Sequence, residues 1–153
     1  MALSLGNQAP DFTLASTKGN DYTLSINQAD KPLVVYFYPA DFTRGCTAEA
    51  CSYRDSFDVF KEYEVDIIGI SKDSVATHLK FQKEHRLPFE LLADTKLKVA
   101  KQYDAVMPIV NVTKRITYLL DKTHKIVAIY DSLFMAKKHI DEMMRQVKAG
   151  KVS

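Results

Sequence analysis

Cysteine is scarce in this chain, two residues in 153, and glycine and proline number only five each. So little of the two chain-breaking residues excludes a collagen-like or low-complexity protein and leaves no stretch with linker composition. Two cysteines, with neither a basic region nor an apolar core in residues 1–10, argue against a secreted disulfide framework. They also leave a structural zinc site short of the four ligands it needs, because no His or Cys stands at ligand spacing. No apolar run approaches the roughly eighteen residues that span a bilayer. The net charge is only +2, from 21 basic and 19 acidic residues spread along the whole length, so the basic stripe that tracks nucleic-acid phosphates is missing too. The expectation is a cytoplasmic protein with no nucleic acid, membrane, metal or cofactor among its partners.

What is present is ordinary globular material, 46% hydrophobic and 26% charged, of a length suited to one domain over residues 1–153. Residues 11–15 and 21–24 are rich in Phe, Tyr, Thr and Leu and flank turn formers, which predicts a hairpin. The run 33–38, LVVYFY, is apolar at every position, as a strand buried on both faces requires. Pro39 ends it, and the pattern of Tyr53, Phe57 and Phe60 predicts one long helix over 47–63. A strand at 65–71 precedes a helix at 74–86 with Val75, Leu79 and Phe81 inward. A short strand at 89–92 and a short helix at 97–103 follow. Strands at 116–120 and 126–130 and a helix at 136–149, with Ile140, Met143, Met144 and Val147 inward, complete the chain. Alternation first and a hairpin plus helix last predict an α/β fold, a central mixed sheet with helices on both faces.

The chemistry concentrates in 36–51, YFYPADFTRGCTAEAC. A buried strand hands the chain to a loop, and Cys46 falls where the next helix begins. Unpaired N–H groups and the positive end of the dipole favour an anion there, which eases ionisation of the thiol. A thiolate can attack a peroxide oxygen, but the second oxygen leaves with developing charge and needs fixed donors. Thr43 offers a hydroxyl, and could equally be the N-cap of the helix. Arg115, immediately before the strand 116–120, is the candidate guanidinium, with five donors and a permanent charge. Glu49 could orient that arginine or simply favour the helix start. Cys51 lies five residues beyond Cys46, and in an intact helix that offset separates the Cα atoms by about 8–9 Å, more than the roughly 7 Å a disulfide tolerates. A Cys46–Cys51 bond would therefore require local unwinding between residues 43 and 55.

Pro39, Thr43 and Cys46 form P-x-x-x-T-x-x-C, which resembles the peroxiredoxin active-site signature, and Cys51 at the fifth following position resembles the peroxiredoxin Q or bacterioferritin comigratory protein subfamily. Similar to that family are also GNQAPDFTL at 6–14, IGISKDS at 68–74, LPFELLAD at 87–94 and RITYLLD at 115–121. The resemblance implies a thioredoxin-like fold, reduction of hydroperoxides as antioxidant defence, Cys46 as peroxidatic cysteine and Cys51 as resolving cysteine. It further implies a peroxide pocket shaped by Pro39, Thr43 and Arg115, and recycling by thioredoxin or a similar dithiol protein. Phe42 and Glu49 are added as pocket residues. The absence of a C-terminal extension bearing a resolving cysteine suggests a monomer or weak homodimer. Arg44 and Ala40 replace the family's usual proline and lysine, residues 111–114 lack its usual glycine, and His124 stands where glycine is usual.

Plainer readings compete. Two cysteines five apart could be core thiols, and Arg115 could pair with a surface carboxylate. His78, His85, His124 and His139 read as surface or helix-face residues, Met135, Met143 and Met144 as core filler, and Phe37, Tyr38 and Phe42 as pocket wall, with core packing an equal explanation for Phe37. A disulfide exchange protein would use C-x-x-C instead of this offset. The rival of another class is a redox sensor or holdase-like binding module switched by Cys46.

Overall fold

The computed structural model describes residues 3–152; Met1, Ala2 and Ser153, at the ends of the expected 1–153 unit, lie outside the described residues. The apolar run forms β3 (Leu33–Phe37), buried at every position. Its side chains divide by the period of two: Leu33, Val35 and Phe37 join one hydrophobic cluster and Val34, Tyr36 and Tyr38 another, one on each side of the sheet. Beside it run β4 (Asp66–Ser71) and then β5 (Glu90–Ala93), all parallel. On its other side β6 (Ile116–Leu120) runs antiparallel to it, and β7 (Ile126–Asp131) runs antiparallel to β6. The hairpin β1 (Thr13–Ser16) and β2 (Asp21–Thr23) adds to β5, giving a seven-stranded mixed sheet in the order β2-β1-β5-β4-β3-β6-β7.

Helices cover both faces, as expected. The short α1 (Leu24–Asn27) and α5 (Lys98–Gln102) place Leu24, Val99 and Ala100 against the Phe37 side. On the Tyr36 side lie α2 (Arg44–Asp55), α3 (Phe57–Glu62), α4 (Val75–Glu84) and α6 (Ala136–Lys148), through Cys46, Ala50, Tyr53, Phe60, Phe81, Ile140 and Met143. Gly69 pairs with Tyr36 across β3 and β4, and a Cβ there would stand 2.8 Å from the Tyr36 ring, so glycine is what admits that ring. Tyr36 in turn stacks on Tyr53 of α2 with centroids 4.6 Å apart.

Some expectations need correction. The single helix over 47–63 is two helices broken at Ser56, and the first begins earlier, so Cys46 is its third residue. Tyr53, Phe57 and Phe60 keep one apolar face across the break, which is why periodicity hides it. In α4 the inward residues are His78 and Phe81, whereas Leu79 is 44% exposed. Met135 is also exposed rather than core filler, and Phe37 packs on the sheet face opposite Cys46 instead of lining its pocket.

Candidate active site

The loop leaving β3 is fixed before it reaches the cysteine. Tyr38 donates its hydroxyl to Asp41 Oδ1 at 2.5 Å, and the Asp41 N–H donates to Asp73 Oδ2 at 2.8 Å. Phe42 then takes a left-handed φ of 64°, which turns the chain into Thr43, an extended N-cap. The Thr43 carbonyl accepts the Thr47 N–H at 2.9 Å, but its hydroxyl makes no cap bond and donates to the Ala40 carbonyl at 2.9 Å. Thr43 thus caps α2 with its backbone alone, while its hydroxyl closes the loop on itself.

Cys46, in the first turn of α2, is 1% exposed and unbridged. First-turn N–H groups have no carbonyl one turn earlier to bond, so that turn presents partial positive charge to the sulfur. Arg115 supplies a full charge. It precedes β6 by one residue and shares the alternation of Thr117 and Leu119, which directs it to the helix-α2 side of the sheet. The guanidinium is only 4% exposed and is held at three points. Nη2 donates to Cys46 Sγ at 3.3 Å, Nη1 to Glu49 Oε1 at 2.6 Å, and Nε to the Leu133 carbonyl at 2.9 Å. Gly45 permits the approach: a Cβ there would come within 2.9 Å of Nη2.

Glu49, one turn after Cys46, is fully buried, and its Oε2 finds no hydrogen-bond partner. Burial pushes its carboxyl up to about 8, against the opposing charge and hydrogen bond of Arg115. Burial disfavours the Arg115 cation as well, but Glu49 and Cys46 outweigh it and hold the guanidinium more firmly charged. The upward direction for Glu49 is the one its geometry supports, since a single oxygen is paired and water is excluded. Near Oε2, at 3.7 Å, lies His139 Nδ1. Burial lowers His139 to about 4, so the ring is neutral at pH 7; Nε2 donates to the Ser132 carbonyl and Nδ1 accepts from Thr117, both at 2.8 Å.

The structure thus brings Cys46, Arg115 and Glu49 together. Pro39 is half-buried where the strand ends, and Phe42 is 48% exposed, packed edge-on against Phe81 with centroids 5.1 Å apart. Cys51 is half-buried on α2, and its sulfur meets His85 Nδ1 at 3.9 Å. The histidines do not follow the surface reading: His78 and His139 are fully buried and His124 is 8% exposed. Each of these three rings meets a backbone carbonyl, of Leu92, Ser132 and Gln28 respectively, which lets an imidazole enter a core. Spacing along the chain gave no sign that Asp41, Asp73 and His78 converge, yet their ligand-type atoms lie within 4.8 Å of one another. Hydrogen bonds from Tyr38, Ser71 and the Asp41 N–H already engage this group.

Residues 5–129 match the model of the AhpC/TSA family. The chain belongs to that family, in its peroxiredoxin Q group. It is 42% identical over 144 residues to the chloroplastic peroxiredoxin Q of Oryza sativa subsp. japonica, covering 94% of this chain and 66% of that protein, and so spans slightly less than two thirds of that relative's length. It is similar to the crystal structure of peroxidoxin BcpB from Mycobacterium tuberculosis, with a TM-score of 0.88, 33% identity and coverage of 95% of this chain and 96% of that one. The bacterioferritin comigratory protein of Xanthomonas campestris, studied for alkyl peroxide reduction, matches with a TM-score of 0.83 and 26% identity over 92% of each chain. The thioredoxin-like peroxiredoxin fold expected from the resemblance is therefore shown. The departures from the peroxiredoxin Q pattern are structurally legible: Asn111 and His124, in segments where glycine is usual, take left-handed φ values of 52° and 66°. Arg44 and Ala40 flank Thr43, and Arg44 is exposed as the first residue of α2.

Proposed function

We propose that this chain is a thiol-dependent peroxidase that reduces hydrogen peroxide and organic hydroperoxides in antioxidant defence. The observation that carries the reading is the buried Arg115 guanidinium 3.3 Å from Cys46 Sγ, a permanent cation and two further donors beside a thiol at a helix start. The Cys46 thiolate attacks the terminal oxygen of the hydroperoxide; an S–O bond forms, the O–O bond breaks, and the alkoxide or hydroxide takes a proton and departs as alcohol or water. Arg115 and the first-turn N–H groups of α2 meet the charge that develops on the two oxygens. Thr43 Oγ1 retains lone pairs while its hydrogen serves Ala40, so it accepts the peroxide O–H. Pro39 and Phe42 bound the approach, and Glu49 holds Arg115.

The second half-reaction uses Cys51, whose thiol condenses with the Cys46 sulfenic acid to a disulfide and water after the first turns of α2 unwind. Thioredoxin or a similar dithiol protein returns both thiols, a cycle suited to a reducing compartment such as the cytoplasm. The test is rapid mixing of reduced protein with hydrogen peroxide and with an alkyl hydroperoxide, followed by mass measurement of Cys46 and Cys51. Peroxide consumption far faster than free cysteine, abolished in Cys46→Ser, is expected. A rate no faster than free cysteine ends the assignment.

A further inference from the structure

The second cysteine has its own neighbours, contributed by the end of α4. His85, the residue that closes this helix, brings Nδ1 to 3.9 Å from Cys51 Sγ. Its other nitrogen, Nε2, lies 3.7 Å from Glu84 Oε2. The ring is held at its base, because Arg54 of α2 donates from Nη1 to the His85 carbonyl at 2.8 Å, and on one side by Phe81, with centroids 5.0 Å apart. A carboxylate beyond Nε2 favours the tautomer with hydrogen on Nε2, which leaves Nδ1 bare toward the thiol. The imidazole is 23% exposed, so solvent reaches it.

From this arrangement we infer that His85, held by Phe81 and Arg54, is the general base of the resolving step, a role that rests on the reading of Cys51 as resolving cysteine. Nδ1 takes the Cys51 proton while α2 is still folded, and α2 then unwinds with the thiolate already formed. The thiolate attacks the sulfur of the Cys46 sulfenic acid; the S–S bond forms, the S–O bond breaks, and the departing hydroxide regains a proton from the imidazolium to leave as water. No outside oxidant is needed, because the peroxide has already oxidised Cys46. In the return direction a dithiol reductant expels Cys51, and the imidazole can pass a proton from the reductant's own thiol to the departing Cys51 thiolate. The charged groups around the contact are Arg54, with its partner Asp55, on α2 and Glu84 on α4.

The test follows both phases of a rapid-mixing experiment with hydrogen peroxide, in wild type, His85→Gln and His85→Phe. Phenylalanine keeps a ring against Phe81 and glutamine keeps polarity, so a folding defect in one does not disable the comparison. At neutral pH the rate of Cys46–Cys51 disulfide formation is expected to fall by roughly tenfold or more in both variants, in line with the loss of a general base. The gap is expected to close at alkaline pH, where solvent ionises Cys51 unaided; a structural defect would leave it open. Equal disulfide rates at neutral pH, or a gap that persists at alkaline pH, overturn the role of His85 and leave Cys51 as resolving cysteine. If wild type treated with peroxide forms no Cys46–Cys51 disulfide, the resolving reading falls and this inference with it.

Discussion

Asp41 Oδ2 stands 2.6 Å from His78 Nδ1, and neither side chain has any exposed surface. The other ring nitrogen faces the Leu92 carbonyl at 3.0 Å. A carbonyl only accepts, so Nε2 donates there, and Nδ1 meets the carboxylate across the short contact. The pair is a buried clamp that joins the loop before Cys46 to α4 and β5.

Removing one partner of this clamp strands the other. His78→Leu fills the space but leaves the Asp41 side chain buried with Tyr38 as its one remaining described side-chain partner. The expected loss is about 3–5 kcal/mol of unfolding free energy, read from urea denaturation of reduced protein. Asp41→Asn, whose amide can still accept from Tyr38, should lose less. A His78→Leu protein as stable as wild type would mean that the clamp carries no weight.

Glu49 makes a prediction about pH. Its carboxyl is raised by burial from the usual 4.5 to about 8. The folded state therefore binds a proton that the unfolded state has released across that interval. Stability from this group is present in full below the unfolded value and is lost as pH rises through the folded one. Glu49→Gln mimics the protonated acid and cannot titrate. The stability of wild type relative to this variant should fall as pH is raised from about 4.5 to about 8, by an amount of order a few kcal/mol. Denaturation curves at a series of pH values measure it, and parallel profiles would contradict it.

Gly45 is required by the guanidinium rather than by its own backbone. A Cβ at this position would stand 2.9 Å from Arg115 Nη2. The arginine cannot swing away freely, because Leu133, Glu49 and Cys46 each hold one of its three nitrogens. Gly45→Ala should slow the peroxide step on the order of tenfold to a hundredfold through displacement of the donor. Arg115→Met should slow it on the order of a hundredfold to a thousandfold. Stopped-flow rates of Cys46 oxidation compare the two, and a Gly45→Ala rate equal to wild type would show that the guanidinium relaxes without consequence.

Strands were legible because burial on both faces writes itself as an unbroken apolar run, as in β3, and Arg115 was legible because it directly precedes the apolar strand β6, which a central position brings against the loop before Cys46. The break at Ser56 was not, since the apolar stripe of α2 continues into α3 and a single non-helical residue leaves no mark on a period. Buried histidines were hidden for a different reason. His78 and His139 sit in the core by virtue of partners far away in the chain, Asp41 and Thr117 among them, and nothing local to either residue announces the pairing. The four-residue α1 and the Cys51–His85 contact are likewise products of tertiary packing.

The break at Ser56 also sets a limit on the motion proposed to join the two cysteines. Helix α2 ends at Asp55, and Ser56 starts the hydrogen bonding of the next helix, its carbonyl accepting from Val59 and Phe60. Helix α3 is pinned to the core by Phe60, which is fully buried. Unwinding of α2 can therefore stop at Ser56 without disturbing α3. Oxidation to the disulfide should deprotect amides between residues 43 and 55 while those of Phe57–Glu62 keep their protection. Hydrogen exchange by mass spectrometry on reduced and peroxide-treated protein distinguishes the cases. Unchanged exchange in 43–55 would rule out unwinding as the route to the bond. Loss of protection extending through α3 would show that Ser56 is no boundary and that the two helices open as one unit.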